Sequence, residues 1–308
     1  MKQLSSCVLM VSPSSFQFNA ETAASNDFQN NIESLSALEI QKKAKEEHQT
    51  MVNELKDKGI DVIVIEDTPS PAKPDAIFPN NWLMMHQDGR IIIFPMKNTN
   101  RQLEKRSDIV ELLQKNYSVK NVLDLSHYEA EDKALEGTGS IVFDHKAKIA
   151  YACISPRTDK YILDDLCQQI GYKAHTFNAY SEKNTLIYHT NVVMCVGDGF
   201  VVIGLNTIKD KDERTAIMKQ FEASNLEVID LNDEQLNHHF AGNMLQVKNK
   251  ENIPFLVMSK RAFHSLNASQ IAQIEKHTQI LPVSIDLIEQ IGGGSARCMM
   301  AENFLEKL

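Results

Sequence analysis

No stretch of this sequence is apolar for long enough to cross a membrane. A secretory leader is not expected either. Lys2 precedes only a short apolar run at 8–11, which lacks the length and the small-residue cleavage site of a signal peptide and reads as a core strand. Positive charge is not in excess: the formal net charge is -9. Phosphate backbones and anionic membrane surfaces both need grouped Lys and Arg, so neither nucleic acid nor membrane is an expected partner. Cysteine is scarce: Cys7, Cys153, Cys167, Cys195 and Cys298 make an odd set with no Cys-x-x-Cys pair. That disfavours a disulfide framework and a structural zinc site, and it makes the cytoplasm the natural compartment. Four of the five are expected to pack as small apolar residues. No linker interrupts the chain; the Pro-rich stretch 68–74 is short and reads as a loop entering a strand. With 308 residues, 43% hydrophobic and 24% charged, the chain can bury a large core, and it reads as one catalytic domain over 1–308.

What the sequence does contain is a repeat near fifty residues. Four segments share a polar or small lead, an apolar strand, a turn and a second apolar strand. They run from Asn80 through Asp88-Gly89 into 91–94, from Gly137 through 144–148 into 149–154, from Thr190 through Gly197-Asp198-Gly199 into 200–205, and from Gly242 past Lys250 into 255–258. The Asp-Gly pairs are hairpin signals. Aligning Asn81, Gly139, Asn191, Asn243 and Arg297 gives spacings of 58, 52, 52 and 54 residues. The fifth unit runs out at the C-terminus, and the strand at 8–11 can complete it. Between the hairpins, 32–58, 100–115, 159–170, 209–223 and 268–278 carry apolar residues at helical spacing. The expected fold is therefore α/β: five units of strands plus one helix, closed into a pseudo-symmetric ring with helices outside. Ordinary α/β layers with coincidental spacing are the alternative. A closed ring would bring the five leads together on its axis.

The leads carry the chemistry. Glu136 opens one unit, His189 the next, and Cys298 ends the run Gly292-Gly293-Gly294-Ser295-Ala296-Arg297-Cys298. Nucleophilic cysteine chemistry needs a sulfur, a base and a group that orients the substrate. Taken singly, Cys298 reads as a buried apolar residue, His189 as a structural histidine and Glu136 as a strand-edge charge. The glycine run lacks the Gly-Lys-Ser/Thr ending of a phosphate loop. Shared placement on one repeat register is what groups them. The adjacent pair His238-His239 has no zinc spacing, and no metal or cofactor is implied.

Glu136-Gly137-x-Gly139, His189-x-Asn191 and Gly-Gly-Gly-x-x-Arg-Cys298-Met resemble the catalytic signatures of the guanidine-modifying, or pentein, superfamily. Arginine deiminases, dimethylarginine hydrolases and amidinotransferases belong to it, on a five-bladed α/β-propeller. Phe16-x-Phe18-Asn19-x-Glu21-Thr22 and Phe78-Pro79-Asn80-Asn81-Trp82 look like the branch of citrulline-utilisation hydrolases, related to the arginine deiminases. The resemblance implies Cys298 as nucleophile, His189 as proton shuttle and Glu136 as a carboxylate on substrate nitrogen. It also implies Asp75 as an α-amino ligand and Arg157 as a carboxylate ligand, with Asn80, Asn81 and Asn191 around the reacting group. Arg157 alone would read as a surface arginine at a strand end.

The departure from that pattern lies at Asn81 and Asn191, where guanidinium-hydrolysing members carry aspartates. Neither 77–87 before Asp88 nor 186–196 contains Asp or Glu. A buried guanidinium needs compensating anions, whereas asparagine offers one donor and one acceptor group. That suits a neutral ureido group such as the end of citrulline. The other readings are a guanidine hydrolase, deiminase or amidinotransferase acting on arginine or a substituted arginine, and a non-catalytic binding module of the same fold. Asn81, Asn191 and Asn243 would then be strand-end caps. The small-molecule amino-acid substrate is the only partner implied; a homodimer stays open. The polar, aromatic-spaced stretch 16–31 reads as either a lid or a surface extension of the first strand.

Overall fold

The computed structural model describes residues 1–23 and 25–308. It contains five three-stranded sheets that follow one another along the chain. Strands β1 (Cys7–Ser12) and β2 (Asp61–Glu66) form two strands of the first. Then come β3 (Leu83–Met85), β4 (Arg90–Ile93) and β5 (Asn121–Asp124), and after them β6 (Val142–Asp144), β7 (Ile149–Cys153) and β8 (Lys173–Phe177). The next two sheets are β9 (Met194–Val196), β10 (Phe200–Ile203), β11 (Glu227–Asp230), and β12 (Leu245–Lys248), β13 (Pro254–Ser259), β14 (Gln279–Val283). Strand β15 (Ala301–Glu302) returns to pair antiparallel with β1, Val8 opposite Glu302 and Leu9 opposite Ala301. Both chain ends thus build one sheet, as the fifth unit of the repeat requires.

Each complete unit has the same wiring. A hairpin pairs the first two strands antiparallel, as in Leu83 opposite Ile93. A helix then crosses over and returns the chain parallel to the middle strand, as in Phe255 opposite Gln279. The third strand of each unit is one more than the sequence reading supplied. Helix ends follow local chemistry. Ser36 and Glu39 form a capping box, so the first long helix starts at Ala37 and runs to Asp57, inside the expected 32–58. Asp159 and Gly171 bound Lys160–Ile170, and Asp210 caps Lys211–Ala223. The expected helix at 100–115 is two pieces, Thr99–Gln102 and Ser107–Asn116, and the last expected one is Ala268–Glu275.

The hairpin strands start later than expected, because the leads are short helical turns. Pro79–Asn81, Gly137–Ser140 and Thr190–Val193 precede β3, β6 and β9. A turn of helix lets a buried polar side chain leave the ladder while its backbone stays paired. These turns lie against one another, the second touching both others. Strands β15 and β3, β6 and β9, and β9 and β12 are likewise neighbours. The core is layered around them. Along β1, Val8 and Met10 join Met51, Val52 and Leu55 of the first long helix, whereas Leu9 and Val11 join Trp82, Met85 and Ile91. This period-two alternation makes β1 a wall between two hydrophobic layers. Among the described residues, no helix is long and apolar enough to cross a membrane.

Candidate active site

The helix Asp286–Gly292 ends on Gly293, whose φ of +62° closes the helix in the left-handed region that glycine enters without strain. The chain then turns tightly, the Cys298 N–H donating to the Ser295 carbonyl at 2.9 Å. This delivers Cys298, 4% exposed, to the cluster of leads. Its sulfur accepts from the side-chain amides of Asn191 at 3.3 Å and Asn243 at 3.2 Å. Among the described residues, no carboxylate oxygen is bonded to it.

His189 caps the turn Thr190–Val193, and Glu136 caps Gly137–Ser140. Their side chains meet at 2.8 Å, His189 Nε2 to Glu136 Oε2, and both are buried. Gly139 makes room for that meeting: a Cβ there would stand 2.3 Å from Asn81 Nδ2 and 2.8 Å from the His189 ring. The other Glu136 oxygen accepts from the Lys97 N–H at 3.1 Å. Burial alone would raise the Glu136 carboxyl, but Arg157, His189 and Arg101 outweigh it and hold the group down at about 2. Burial pulls His189 down to about 4, against the opposing pull of Glu136. The imidazole is therefore neutral at pH 7 and the carboxylate charged.

Asp75 and Arg157 line the same cavity as Cys298, His189 and Asn81. Asp75 accepts from Asn19 Nδ2 at 2.7 Å, and its second oxygen has no hydrogen-bond partner. Burial raises its carboxyl despite Arg101. Arg157 lies 4.8 Å over the Tyr188 ring and donates to the Ser25 hydroxyl at 2.6 Å and the Thr22 carbonyl at 3.2 Å. Asn81 Nδ2 and Asn191 Oδ1 are buried without partners. Asn80 is buried in the same turn as Asn81, but its side chain is not among those lining the cavity.

Arg101 and the contact made by Asn243 escaped the sequence reading, and one of its two readings of 16–31 falls. Arg101 is buried, holds Glu104 through two bonds of 2.8 and 2.9 Å, and sits 3.7 Å from both Asp75 and Glu136. Asn243, read as a strand cap, touches the sulfur. The stretch 16–31 is no strand extension: Asn19, Thr22, Ser25 and Asn26 reach Asp75, Arg157 and Gly293 across the cavity. The cavity beneath is about 10 Å³, room for roughly one water. Wider depressions of about 220 and 280 Å³ lie beside Phe28, and no cysteine lines either. Among the described residues, no group of three or more His, Cys, Asp or Glu is arranged to hold a metal ion.

Comparison with known proteins places this geometry in context. Sequence comparison with curated proteins gives no match. The fold is similar to the N-terminal domain of ArgZ, a cyanobacterial arginine dihydrolase of the ornithine-ammonia cycle, solved bound to substrate: TM-score 0.74 at 16% identity, covering 97% of this chain and 99% of that one. The chain spans only 40% of the longer ArgZ chain. AgrE in complex with L-arginine gives TM-score 0.74 at 17% identity, over 96% of this chain and 39% of that one. A dimethylarginine dimethylaminohydrolase carrying an S-methyl-L-thiocitrulline adduct gives TM-score 0.65 at 13% identity, over 97% and 99%. The family model for N,N dimethylarginine dimethylhydrolase, eukaryotic, matches residues 12–305. The chain therefore belongs to the dimethylarginine dimethylhydrolase family, hydrolases of carbon–nitrogen bonds within the arginine-deiminase and amidinotransferase, or pentein, superfamily.

Proposed function

We propose that this chain hydrolyses the ureido group of citrulline or a similar small amino acid, with residues 1–308 acting as one catalytic unit on a five-bladed propeller. One observation carries the choice of substrate. The groups on the Cys298 sulfur are amides, and the unpaired polar atoms around it include one donor, Asn81 Nδ2, and one acceptor, Asn191 Oδ1. A ureido group presents a carbonyl to the first and an N–H to the second. A guanidinium offers no acceptor to Asn81.

The steps follow from the chemistry of these groups. Arg157, with Arg101 behind Asp75, faces the substrate carboxylate, and Asp75 faces its α-ammonium. Neutral His189 takes the thiol proton as Cys298 Sγ attacks the ureido carbon. Glu136 steadies the imidazolium that forms. Asn81 donates to the oxyanion. His189 passes its proton to the departing amine, which leaves as ornithine, and a carbamoyl thioester remains on Cys298. Water, deprotonated by His189, attacks that carbon and the sulfur leaves. Carbamic acid is released and breaks down to ammonia and carbon dioxide. Substrate entry requires the cover formed by Asn19, Thr22, Ser25 and Asn26 to lift from the cavity.

A second reading is hydrolysis of a guanidine compound. It is favoured by the ionised Glu136 and by the likeness to ArgZ, an arginine dihydrolase. Citrulline, arginine and methylated arginines assayed side by side for ornithine and ammonia separate the two. Faster turnover of arginine than of citrulline would sink the ureido reading. In the double variant Asn81→Asp with Asn191→Asp, the ratio of kcat/KM for arginine over citrulline should rise by roughly tenfold or more, the scale of a charged hydrogen bond.

A further inference from the structure

Asn243 stands at the lead of the fourth unit, fully buried, in a turn that the other leads hold from both sides. Gly242 packs so closely on the preceding lead that a Cβ there would meet the Val192 carbonyl at 2.2 Å. The Asn243 N–H donates to the Phe240 carbonyl at 2.8 Å, which pins the turn. The side-chain amide has only one orientation open to it. Its Oδ1 accepts the N–H of Arg297, the residue just before the cysteine, at 3.1 Å. A backbone N–H can only donate, so the oxygen must stay on that side. The NH2 is then forced toward the Asn191 carbonyl at 3.0 Å and the Cys298 sulfur at 3.2 Å.

Asn191 differs in this respect. Its Nδ2 also reaches the sulfur, at 3.3 Å, but its Oδ1 has no partner, so nothing anchors the amide in that pose. The two asparagines are therefore not equivalent. One is fixed on the sulfur by the backbone of the nucleophile's own loop. The other is free to turn to a bound molecule.

We propose that Asn243 is a catalytic residue, a permanently oriented N–H donor that stabilises negative charge on Cys298 Sγ, both as the thiol proton leaves during attack and when the sulfur departs in the second step. This leaves Asn191 available to the substrate. The role rests on the proposed cysteine chemistry but not on which substrate is used. An amide donor on an anionic sulfur is a charge-assisted hydrogen bond, stronger than a neutral one.

The test is alkylation of Cys298 by iodoacetamide at pH 7, followed by mass spectrometry, in the wild type, Asn243→Asp and Asn243→Ser. The aspartate keeps an acceptor for the Arg297 N–H and turns an anionic oxygen toward the sulfur. The serine keeps a small polar group that cannot span both contacts. Thermal melting shows which variants are folded, and either one that folds suffices. Alkylation should slow by roughly tenfold or more in each, the scale of one hydrogen bond to a charged atom, with kcat falling alongside. A folded variant that alkylates at the wild-type rate overturns the role, and so does a loss of turnover with alkylation unchanged. Because alkylation needs no substrate, a failure of citrulline turnover in the wild type would count against the ureido reading and leave this result intact.

Discussion

His189 Nε2 and Glu136 Oε2 face each other at 2.8 Å, fifty-three positions apart in the chain and sealed from solvent. Two elements of backbone make that contact. One is the short helical turn after each residue, and the other is Gly139, which has no side chain to separate them. The contact bears on the roles proposed for the pair. A carboxylate held at about 2 is charged, and an imidazole held at about 4 is neutral, throughout the neutral range.

The pH profile should follow. Activity that needs neutral His189 is lost only as pH falls through about 4, so the acid limb of kcat/KM should lie near pH 4 and not near 6.5. Glu136 is the group that pulls the histidine upward. In Glu136→Gln the limb should move to still lower pH, while kcat falls by roughly a hundredfold or more. A steady-state profile from pH 3.5 to 8 decides this. An acid limb near 6.5 in the wild type would mean that His189 does not titrate as the site requires.

Arg101 is the hub of the acidic side of the cavity. It holds Glu104 through two short bonds and lies 3.7 Å from both Asp75 and Glu136. In Arg101→Ala, three buried carboxylates lose their common cation, and unfolding free energy should drop by about 3–5 kcal/mol. Arg101→Lys keeps the charge but not the planar fork, so it cannot hold Glu104 twice and face Asp75 as well. That variant should remain folded, with KM raised roughly tenfold and kcat changed less. Urea unfolding and substrate kinetics check both, and a lysine variant with unaltered KM would show that Arg101 is only a structural counter-ion.

The repeat was legible because the polar leads recur near fifty residues and the hairpin turns are marked by Asp-Gly pairs. Glu136, His189 and Cys298 were legible because they occupy that register. The third strand of each unit was not. Strand β5 is four residues long with both ends exposed and shows neither the alternation nor the apolar run that marks a strand, whereas β2 carries the apolar run Val62–Ile65, half-buried, and the sequence reading passed over it. Parallel pairing with the middle strand makes them strands, and pairing is a tertiary fact. Arg101 was hidden for a related reason. It sits at the end of a four-residue helix in a polar stretch, and its partners Asp75 and Glu136 lie 26 and 35 positions away. Ser25 meets Arg157 across 132 positions, so the polar stretch 16–31 gave no local sign of the side chains it covers.

Glu289 offers a test of the loop that carries Cys298, the proposed nucleophile. It is fully buried in the helix before the glycine run, takes a 2.5 Å bond from the Ser295 hydroxyl, and has Arg261 no nearer than 3.9 Å. Burial pushes its carboxyl up to about 7. An unfolded glutamate titrates near 4.3. Between those values the folded chain holds a proton that the unfolded chain has lost. The fold is therefore favoured by this group at low pH, and that advantage disappears as pH rises through about 7. Glutamine has the same shape and no proton to lose, and its oxygen can still accept from Ser295. Glu289→Gln should match the wild type near pH 4 and exceed its unfolding free energy by about 1–3 kcal/mol at pH 8. Urea unfolding at the two pH values measures the difference. If the glutamine variant is instead the less stable at pH 8, Arg261 stabilises the ionised carboxylate by more than burial costs it, and the turn leading to Cys298 is anchored by an ion pair.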